Sequence, residues 1–200
     1  MLDNPIPVNR TFAAQAIAVS KNVSAIPYLY KALQKETKLY SKLAISDTLI
    51  SFGEAAVGKG IKLLGTTGNH YKNVPKELFK KVNYPLPRDI IARVLMRMGP
   101  DAIPQLTTFL KSGKEKQIAE AIDVIGYIAY YNEECNVYND LMECFNKYSD
   151  NKLILWKIYR ALSACPQGRT FLEEQLIREK DEQLKDEIKR SLLRMKIYNK

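Results

Sequence analysis

A short unit recurs along this chain, and its repetition constrains the fold more than any other feature of the sequence. SAIPYLYKAL, residues 24–33, returns as DAIPQLTTFL, residues 101–110, with Ala, Ile, Pro, Leu and Leu at matching positions. A third version, GEAAVGKGIKLL, follows the apolar segment that ends at Phe52. The three copies are separated by 31 and then 46 residues. Self-similarity over such distances is typical of arrays of repeated supersecondary units.

Apolar residues recur with the period of an α-helix. In IIARVLMRM, the residues Ile91, Val94, Leu95 and Met98 stand at i, i+3, i+4 and i+7, on one face of a helix. The same frame fits the segments 45–52, 121–128, 155–162 and 188–195. No segment sustains the alternation of a strand. We therefore predict an all-α chain, with helices near 9–20, 24–36, 39–52, 54–64, 88–98, 101–112, 115–131, 134–148, 152–164, 168–179 and 182–197.

Glycine and proline mark the boundaries of the repeated unit. Gly53 and Gly99 each follow an apolar helix, where a glycine in the left-handed conformation can end it. Pro27 and Pro104 open the next helix, in the first turn, where backbone N–H groups have no intrahelical partner. The pattern predicts a helical hairpin of roughly 30 to 40 residues, repeated along the chain.

The best copy of this unit resembles a HEAT-type repeat. MGPDAIPQLTTFLKSGKEKQIAEAIDVIGYIA, residues 98–129, is similar to bacterial HEAT-like repeats of the phycobilisome-lyase type. The resemblance covers residues 22–64 and 86–130, and from 134 onward only the apolar frame remains. It implies a right-handed α-solenoid of stacked helical hairpins, a single domain over 1–200 with a capping helix near 182–197. It also implies a non-enzymatic scaffold that binds a protein partner on its concave face.

One insertion interrupts the array. GTTGNHYKNVPKELFKKVNYPLP, residues 65–87, stands where a tight turn is expected. It contains His70, the only histidine, and the candidate contact residues Tyr71 and Lys72. Val74, Leu78 and Val82 are spaced to dock a short helix on the array. Insertions into repeat arrays fall on one face and often carry binding, although a tolerated long connection explains the segment as well.

Basic and aromatic residues beside the core stripes are the other candidate partner contacts. Trp156 lies next to the apolar stripe of its helix with Arg160 one turn later, a pairing typical of interface hot spots; packing of Trp156 against the next repeat is the alternative. Lys157 lies on the same predicted helix, and Arg93 and Arg97 hold related positions on the predicted helix 88–98. We therefore predict partner contacts at these five residues.

The net charge leaves a second function open. Of the formal charge of +9, the whole excess lies in residues 1–100, which contain 15 Lys or Arg and 6 Asp or Glu. A basic half can attract nucleic acid, and an Arg/Lys track along one wall could follow phosphates. Asp47 and Asp123 interrupt that track. Nucleic-acid binding is therefore the alternative function.

Catalytic, metal and membrane motifs are not found. The sequence contains none of the common nucleophile, P-loop or metalloprotease patterns, and His70 has no second ligand at metal spacing. We expect no enzyme activity, cofactor, metal, small-molecule substrate or membrane span. HEAT-like alkylpurine DNA glycosylases are an enzymatic alternative, but Arg160 stands where an acid beside Trp156 would be needed. Three widely spaced cysteines, Cys135, Cys144 and Cys165, indicate a reducing cytoplasm.

Overall fold

The computed structural model describes residues 1–68, 70–76 and 83–198, and its regular structure is helical. The α-helices are α1 (Pro7–Ser20), α2 (Ile26–Lys35), α3 (Leu39–Ser51), α4 (Glu54–Ile61), α5 (Ile90–Met98), α6 (Ile103–Leu110), α7 (Glu115–Tyr131), α8 (Tyr138–Lys147), α9 (Lys152–Ala161), α10 (Gly168–Arg178) and α11 (Glu182–Tyr198). Short 3-10 turns cover Val23–Ala25, Gly99–Ala102 and Leu162–Ala164. Within the described ranges no β-strand is present. The prediction of an all-α chain is confirmed.

The helices lie where the apolar periodicity placed them. On α5 the four stripe residues from Ile91 to Met98 are buried, and the exposed positions are Arg93 and Arg97. The largest difference in a helix start is at α8, which begins at Tyr138 rather than near 134. The preceding residues form a turn there instead, closed by a 3.0 Å hydrogen bond from the Cys135 N–H to the Asn132 carbonyl oxygen.

Helix boundaries follow the predicted glycine and proline positions. Gly53 has φ 55° and ψ −135°, and Gly99 has φ 73° and ψ −154°, so the two aligned glycines share one backbone conformation. That region is open almost exclusively to glycine and lies away from the left-handed helical values. Pro27 and Pro104 lie in the first turns of α2 and α6, as expected.

The helices pack in two rows. In the first, which we call the odd row, α1, α3, α5, α7, α9 and α11 pack in chain order, each on the next. In the second, the even row, α2, α4, α6 and α8 do the same. Each even helix also packs on the odd helix that follows it, and α10 packs on α11. Each even helix therefore forms a packed pair with the odd helix that follows it in the chain.

A continuous cluster of buried apolar side chains fills the space between the rows. It runs from Ala14 on α1 to Met195 on α11. Small residues allow close packing: Ala56 and Ala102, which occupy matching positions of the repeated unit, are fully buried. Among the described helices, none combines the length and the apolar character that crossing a bilayer requires.

Candidate functional site

One face of the odd row points away from the even row. The half of this face that lies on α7, α9 and α11 is buried. We call this half the covered face. It is formed by α7, α9 and α11, and its residues are Glu120, Asp123, Trp156, Lys157, Arg160, Glu187, Arg190 and Arg194. Charged side chains are rarely buried unless they are paired, so a face with this composition needs a partner for each charge and a cover that excludes water.

The charges of the covered face form ion pairs between successive helices. Lys157 on α9 places its Nζ 2.7 Å from Glu120 Oε1 and 2.8 Å from Asp123 Oδ2, both on α7. Arg160 reaches from α9 to both neighbouring helices, with its Nη1 3.4 Å from Asp123 Oδ1 and its Nε 3.2 Å from Glu187 Oε1. On this face α7 thus supplies acids, α9 supplies bases, and α11 supplies Glu187 together with two arginines.

Arg194 extends this network on α11. Its Nη1 donates a 2.9 Å hydrogen bond to Ser163 Oγ, and its Nη2 lies 3.6 Å from Glu187 Oε1. Ser163 in turn donates a 2.7 Å hydrogen bond to the Arg160 carbonyl oxygen. The network therefore ties the end of α9 to α11 through side chains as well as apolar packing.

Burial shifts the ionisation of these groups. Desolvation raises the pKa of Glu120 in spite of the nearby Lys157 ammonium. Desolvation also lowers the pKa of Arg194, and it lowers that of Arg190 to about 10. For Arg160, desolvation acts in the same direction, but Glu187 and Asp123 outweigh it and the pKa is raised. The network holds its charges through mutual pairing at a high desolvation cost.

The cover is part of the insertion, and Tyr71 is one of its contacts. The Tyr71 ring meets the Trp156 ring edge to face, with centroids 5.4 Å apart. On the other side of Tyr71, the Arg88 guanidinium lies 4.1 Å from the ring centroid. The Arg160 guanidinium lies 3.8 Å from the centroid of Trp156. These four side chains form one stack that joins the insertion to α9.

Tyr84 is the second contact of the cover. Its buried ring lies 5.3 Å from Tyr130 on α7, centroid to centroid, and the Arg194 guanidinium lies 5.4 Å away. Its hydroxyl lies against Gly126, where a Cβ atom would overlap it. The Tyr84 hydroxyl has no hydrogen-bond partner within the described residues, so shape holds the ring in place.

Asp89 fixes the two ends of the insertion together. Its carboxylate accepts hydrogen bonds from the Ile91 and Ala92 N–H groups at the start of α5, and from the Gly65 N–H at 2.8 Å. An isolated backbone bridge also joins it to Gly68. Burial raises the pKa of Asp89, opposed by these backbone hydrogen bonds. One buried carboxylate thus caps a helix and closes the loop.

The middle of the insertion is described in part. Val74 packs against the core, and the Pro75 carbonyl oxygen accepts a 2.9 Å hydrogen bond from Gln183 on α11. Leu78 and Val82, the other two positions of the predicted docking helix, lie outside the described residues.

The predicted hot spot on α9 lies in the interior. Trp156 is 3% exposed and Lys157 is 0% exposed, and Arg160 is also buried. The hypothesis that Trp156 is exposed is wrong, because the insertion covers its ring. Trp156 belongs to the buried core cluster, and Tyr71, from the segment between α4 and α5, contacts its ring. These residues have intramolecular partners in place of an external one.

The other predicted contact residues lie at the surface. Arg97 forms a 2.8 Å ion pair with Asp47 on α3, and Arg93 donates a 2.8 Å hydrogen bond to the Pro87 carbonyl oxygen. Lys72 is exposed and lines a groove of about 1010 Å³ between the insertion and the starts of α7 and α9. Tyr71 is half-buried. The structure therefore separates Arg93 and Arg97 from the residues on α9 with which the sequence analysis grouped them.

The N-terminal half of the same side of the odd row is exposed and largely apolar. We call it the open face. Its residues are Val8, Phe12 and Val19 on α1, Leu39, Tyr40, Leu43 and Asp47 on α3, and Arg93 and Arg97 on α5. Phe12 is 62% exposed and Tyr40 is 80% exposed. Contiguous exposed apolar side chains of this kind mark interaction surfaces more often than isolated ones.

Helix geometry places these side chains on one side. On α1, Arg10 pairs with Glu36 at the end of α2, and Ile17 lines a cavity with α2, so both point toward the even row. Phe12 and Val19 each follow one of these residues by two positions, about 200° around the helix, and point the opposite way. The Asp47–Arg97 ion pair aligns the exposed stripe of α3 with that of α5.

The open face was not predicted from the sequence, although the apolar spacing on α1 and α3 indicates it. Val8, Phe12, Ala16 and Val19 recur at helical spacing on α1, and Leu39, Tyr40 and Leu43 do so on α3. On α1 they lie off the buried positions Ala13 and Ala14. A second apolar stripe beside the core stripe predicts a further contact surface.

Comparisons with known proteins give no family or function for this chain. No protein-family model, no curated protein and no solved structure matches this chain.

Proposed function

We propose that this chain is a HEAT-like α-solenoid that acts as a protein-binding module, and that its partner binds the open face. Two stacked rows of helices joined as hairpins support the solenoid assignment. In such an array the odd row would line the concave side. The observation that carries the function is the exposed apolar surface of α1 and α3, with Phe12 and Tyr40 at its centre.

The covered face supports the same choice of surface. Trp156, Lys157 and Arg160 are already engaged by α7, α11 and the insertion, so their contacts lie within the fold. Arg93 and Arg97, by contrast, lie beside the apolar residues of α3 and are accessible to a partner. Aromatic and arginine side chains together are typical of interface hot spots.

Nucleic acid fits this surface less well. Lys157 and Arg160, two members of the predicted basic track, are buried and paired with acids, and Arg97 is paired with Asp47. The apolar centre of the open face offers nothing to phosphates, which are bound by cations and N–H groups. We place the protein in the cytoplasm, where Cys135, Cys144 and Cys165, all free thiols, would stay reduced.

Photo-cross-linking combined with affinity measurements tests the proposal. A benzophenone amino acid at position 12 or 40 should capture the same protein from cells, whereas one at Ile177, an exposed residue of α10, should not. The captured protein, once purified, should bind the Phe12→Glu variant at least about tenfold more weakly, the loss expected for one hot-spot residue. Phe12 lies outside the core, so the variant should keep the urea midpoint of the wild type.

Equal capture from position 177, or unchanged affinity of the Phe12→Glu variant, would overturn the assignment of the open face.

A further inference from the structure

We infer that the partner segment bound by the open face is acidic and carries aromatic or leucine side chains. The inference rests on the proposed function and specifies the chemistry of its ligand. Two observations support it. Basic residues surround the open face, and the insertion covers the other half of this side of the odd row with aromatic side chains.

The charge around the open face is basic. Arg93 and Arg97 on α5 border the apolar side chains of α3. Among the described residues of α1, α3 and α5, Asp47 is the one acid on this face. The exposed Lys38 precedes Leu39 at the start of α3, and Lys21 at the end of α1 donates a hydrogen bond to the Ser51 carbonyl oxygen of α3. The wider field has the same sign, with 15 basic and 6 acidic residues in the first hundred. A basic rim around an apolar centre favours an acidic partner in both association rate and orientation.

The covered face shows which side chains bind to this side of the odd row. There the chain's own insertion supplies aromatic rings, with Tyr71 against Trp156 and Tyr84 against Tyr130. Within the described parts of the insertion that make these contacts, 70–76 and 83–87, no helix forms. The odd row thus contacts these two stretches through aromatic side chains that lie among charged groups.

The two halves are continuous at α5. Arg93 donates its hydrogen bond to the carbonyl oxygen of Pro87, the last residue of the insertion, so the open face begins where the cover ends. Asp47, Arg93, Asp123, Lys157 and Arg190 occupy one register position along the odd row. In the covered half the bases at this position pair with acids: Lys157 with Asp123 on the neighbouring α7, and Arg190 with Glu187 on its own helix. In the open half Arg93 has no acidic partner among the described residues, and its charge is the one that an acidic segment would neutralise.

Peptide display on the intact chain tests the inference. Random 16-residue peptides are selected on the wild-type protein and counter-selected on the Phe12→Glu variant, so that peptides bound elsewhere are removed. The retained peptides should be enriched in Asp and Glu next to Tyr, Phe or Leu. Their affinity should fall at least about tenfold on an Arg93→Glu, Arg97→Glu variant, as expected when a rim of attractive charge is reversed. A matched Lys31→Glu, Lys35→Glu variant, with both changes on the exposed side of α2, should bind them as the wild type does.

The outcomes separate the two proposals. Peptides that need Phe12 but show no acidic enrichment would overturn the inference and leave the proposed function standing. If counter-selection leaves no peptide, because every selected peptide also binds the Phe12→Glu variant, both proposals would be overturned. Binding of a short labelled DNA duplex that depends on Arg93 and Arg97 and displaces the peptides would assign the face to nucleic acid instead.

Discussion

Tyr71 and Trp156 meet edge to face, 5.4 Å between ring centroids, although one belongs to the insertion and the other to α9. Arg88 and Arg160 flank the pair, each over one of the rings. Trp156 is 3% exposed and belongs to the buried core cluster, so Tyr71 contacts the core of the array. The insertion is therefore a structural part of the helical array, and its aromatic side chains complete the packing of α9.

Replacing Tyr71 by alanine should loosen the insertion without unfolding the array. An edge-to-face aromatic pair contributes about 0.5–1.5 kcal/mol beyond area burial, so opening of the segment should become up to about tenfold more frequent. Limited trypsin digestion measures this as faster cleavage after Lys72 and Lys76. Tyr28→Ala, which removes an exposed tyrosine from α2, is the control. Identical cleavage rates for the two variants would show that Tyr71 does not hold the segment.

Replacing Lys157 by methionine should destabilise the protein strongly. The change leaves the Glu120 carboxylate buried without its ammonium partner, and such a loss costs about 3–5 kcal/mol. The Lys157→Met, Glu120→Gln double variant should be more stable than the sum of the single changes predicts, because the stranded charge is gone. Urea unfolding of the four proteins in this cycle gives the coupling. Additive losses would mean that the two side chains do not interact in solution.

The helices could be predicted from the sequence because their apolar stripes are regular. The residues from Ile91 to Met98 bury one face of α5 and leave Arg93 and Arg97 outside, as periodicity requires. The same frame fails on α9. It placed Lys157 and Arg160 outside the core, but periodicity within one helix contains no information about a distant segment that covers a second face.

A different signal in the sequence pointed to that cover. On α7 the segment IAEAIDVIGYIAYY is apolar nearly all round, as is LILWKIY on α9, and helices of this kind are buried on more than one side. Glu120 and Asp123 are three residues apart, and so are Lys157 and Arg160, which is the spacing that lets two acids face two bases on neighbouring helices. The docking of Tyr84 against Gly126 left no comparable signal, because it depends on the path of the loop.

Gly126→Ala should displace Tyr84 and separate α7 from α9. A Cβ at this position would overlap the Tyr84 hydroxyl and lie 2.8 Å from the Cβ and 2.9 Å from the Cα of Ala161. Overpacking of this kind costs about 1–3 kcal/mol. Tyr84→Phe alone should be close to neutral, since the hydroxyl has no hydrogen-bond partner among the described residues. Combining the two changes should recover part of the loss, because the ring no longer carries the overlapping oxygen.

Thermal unfolding of the wild type, both single variants and the Gly126→Ala, Tyr84→Phe double variant measures these effects. Gly58→Ala on α4, where the new Cβ would approach the end of the flexible Gln105 side chain, is the matched control and should cost less. A Gly126→Ala variant as stable as the Gly58→Ala variant would show that the close approach of α7, α9 and Tyr84 does not exist.

The Arg10–Glu36 pair should make stability depend on pH at the N-terminal end of the array. Arg10 Nε lies 2.6 Å from Glu36 Oε2 and its Nη2 lies 2.9 Å from Oε1, a bidentate contact that joins α1 to the end of α2. The hydrogen bond from Arg10 lowers the pKa of Glu36 to about 2 from its ordinary value of 4.5. Because the folded-state pKa is the lower one, the pair contributes its full stability above pH 4.5. That contribution is lost as the pH falls toward 2.

We therefore expect Arg10→Met to destabilise the protein measurably at pH 7, and clearly less at pH 3, where Glu36 is largely protonated in the unfolded chain. Other carboxyl groups titrate in both proteins, so the difference between the wild type and the variant isolates the pair. Urea unfolding at pH 7, 5 and 3 measures that difference, with Lys31→Met on the exposed side of α2 as the control. A difference that stays constant from pH 7 to pH 3 would mean that Glu36 does not depend on Arg10 for its ionisation.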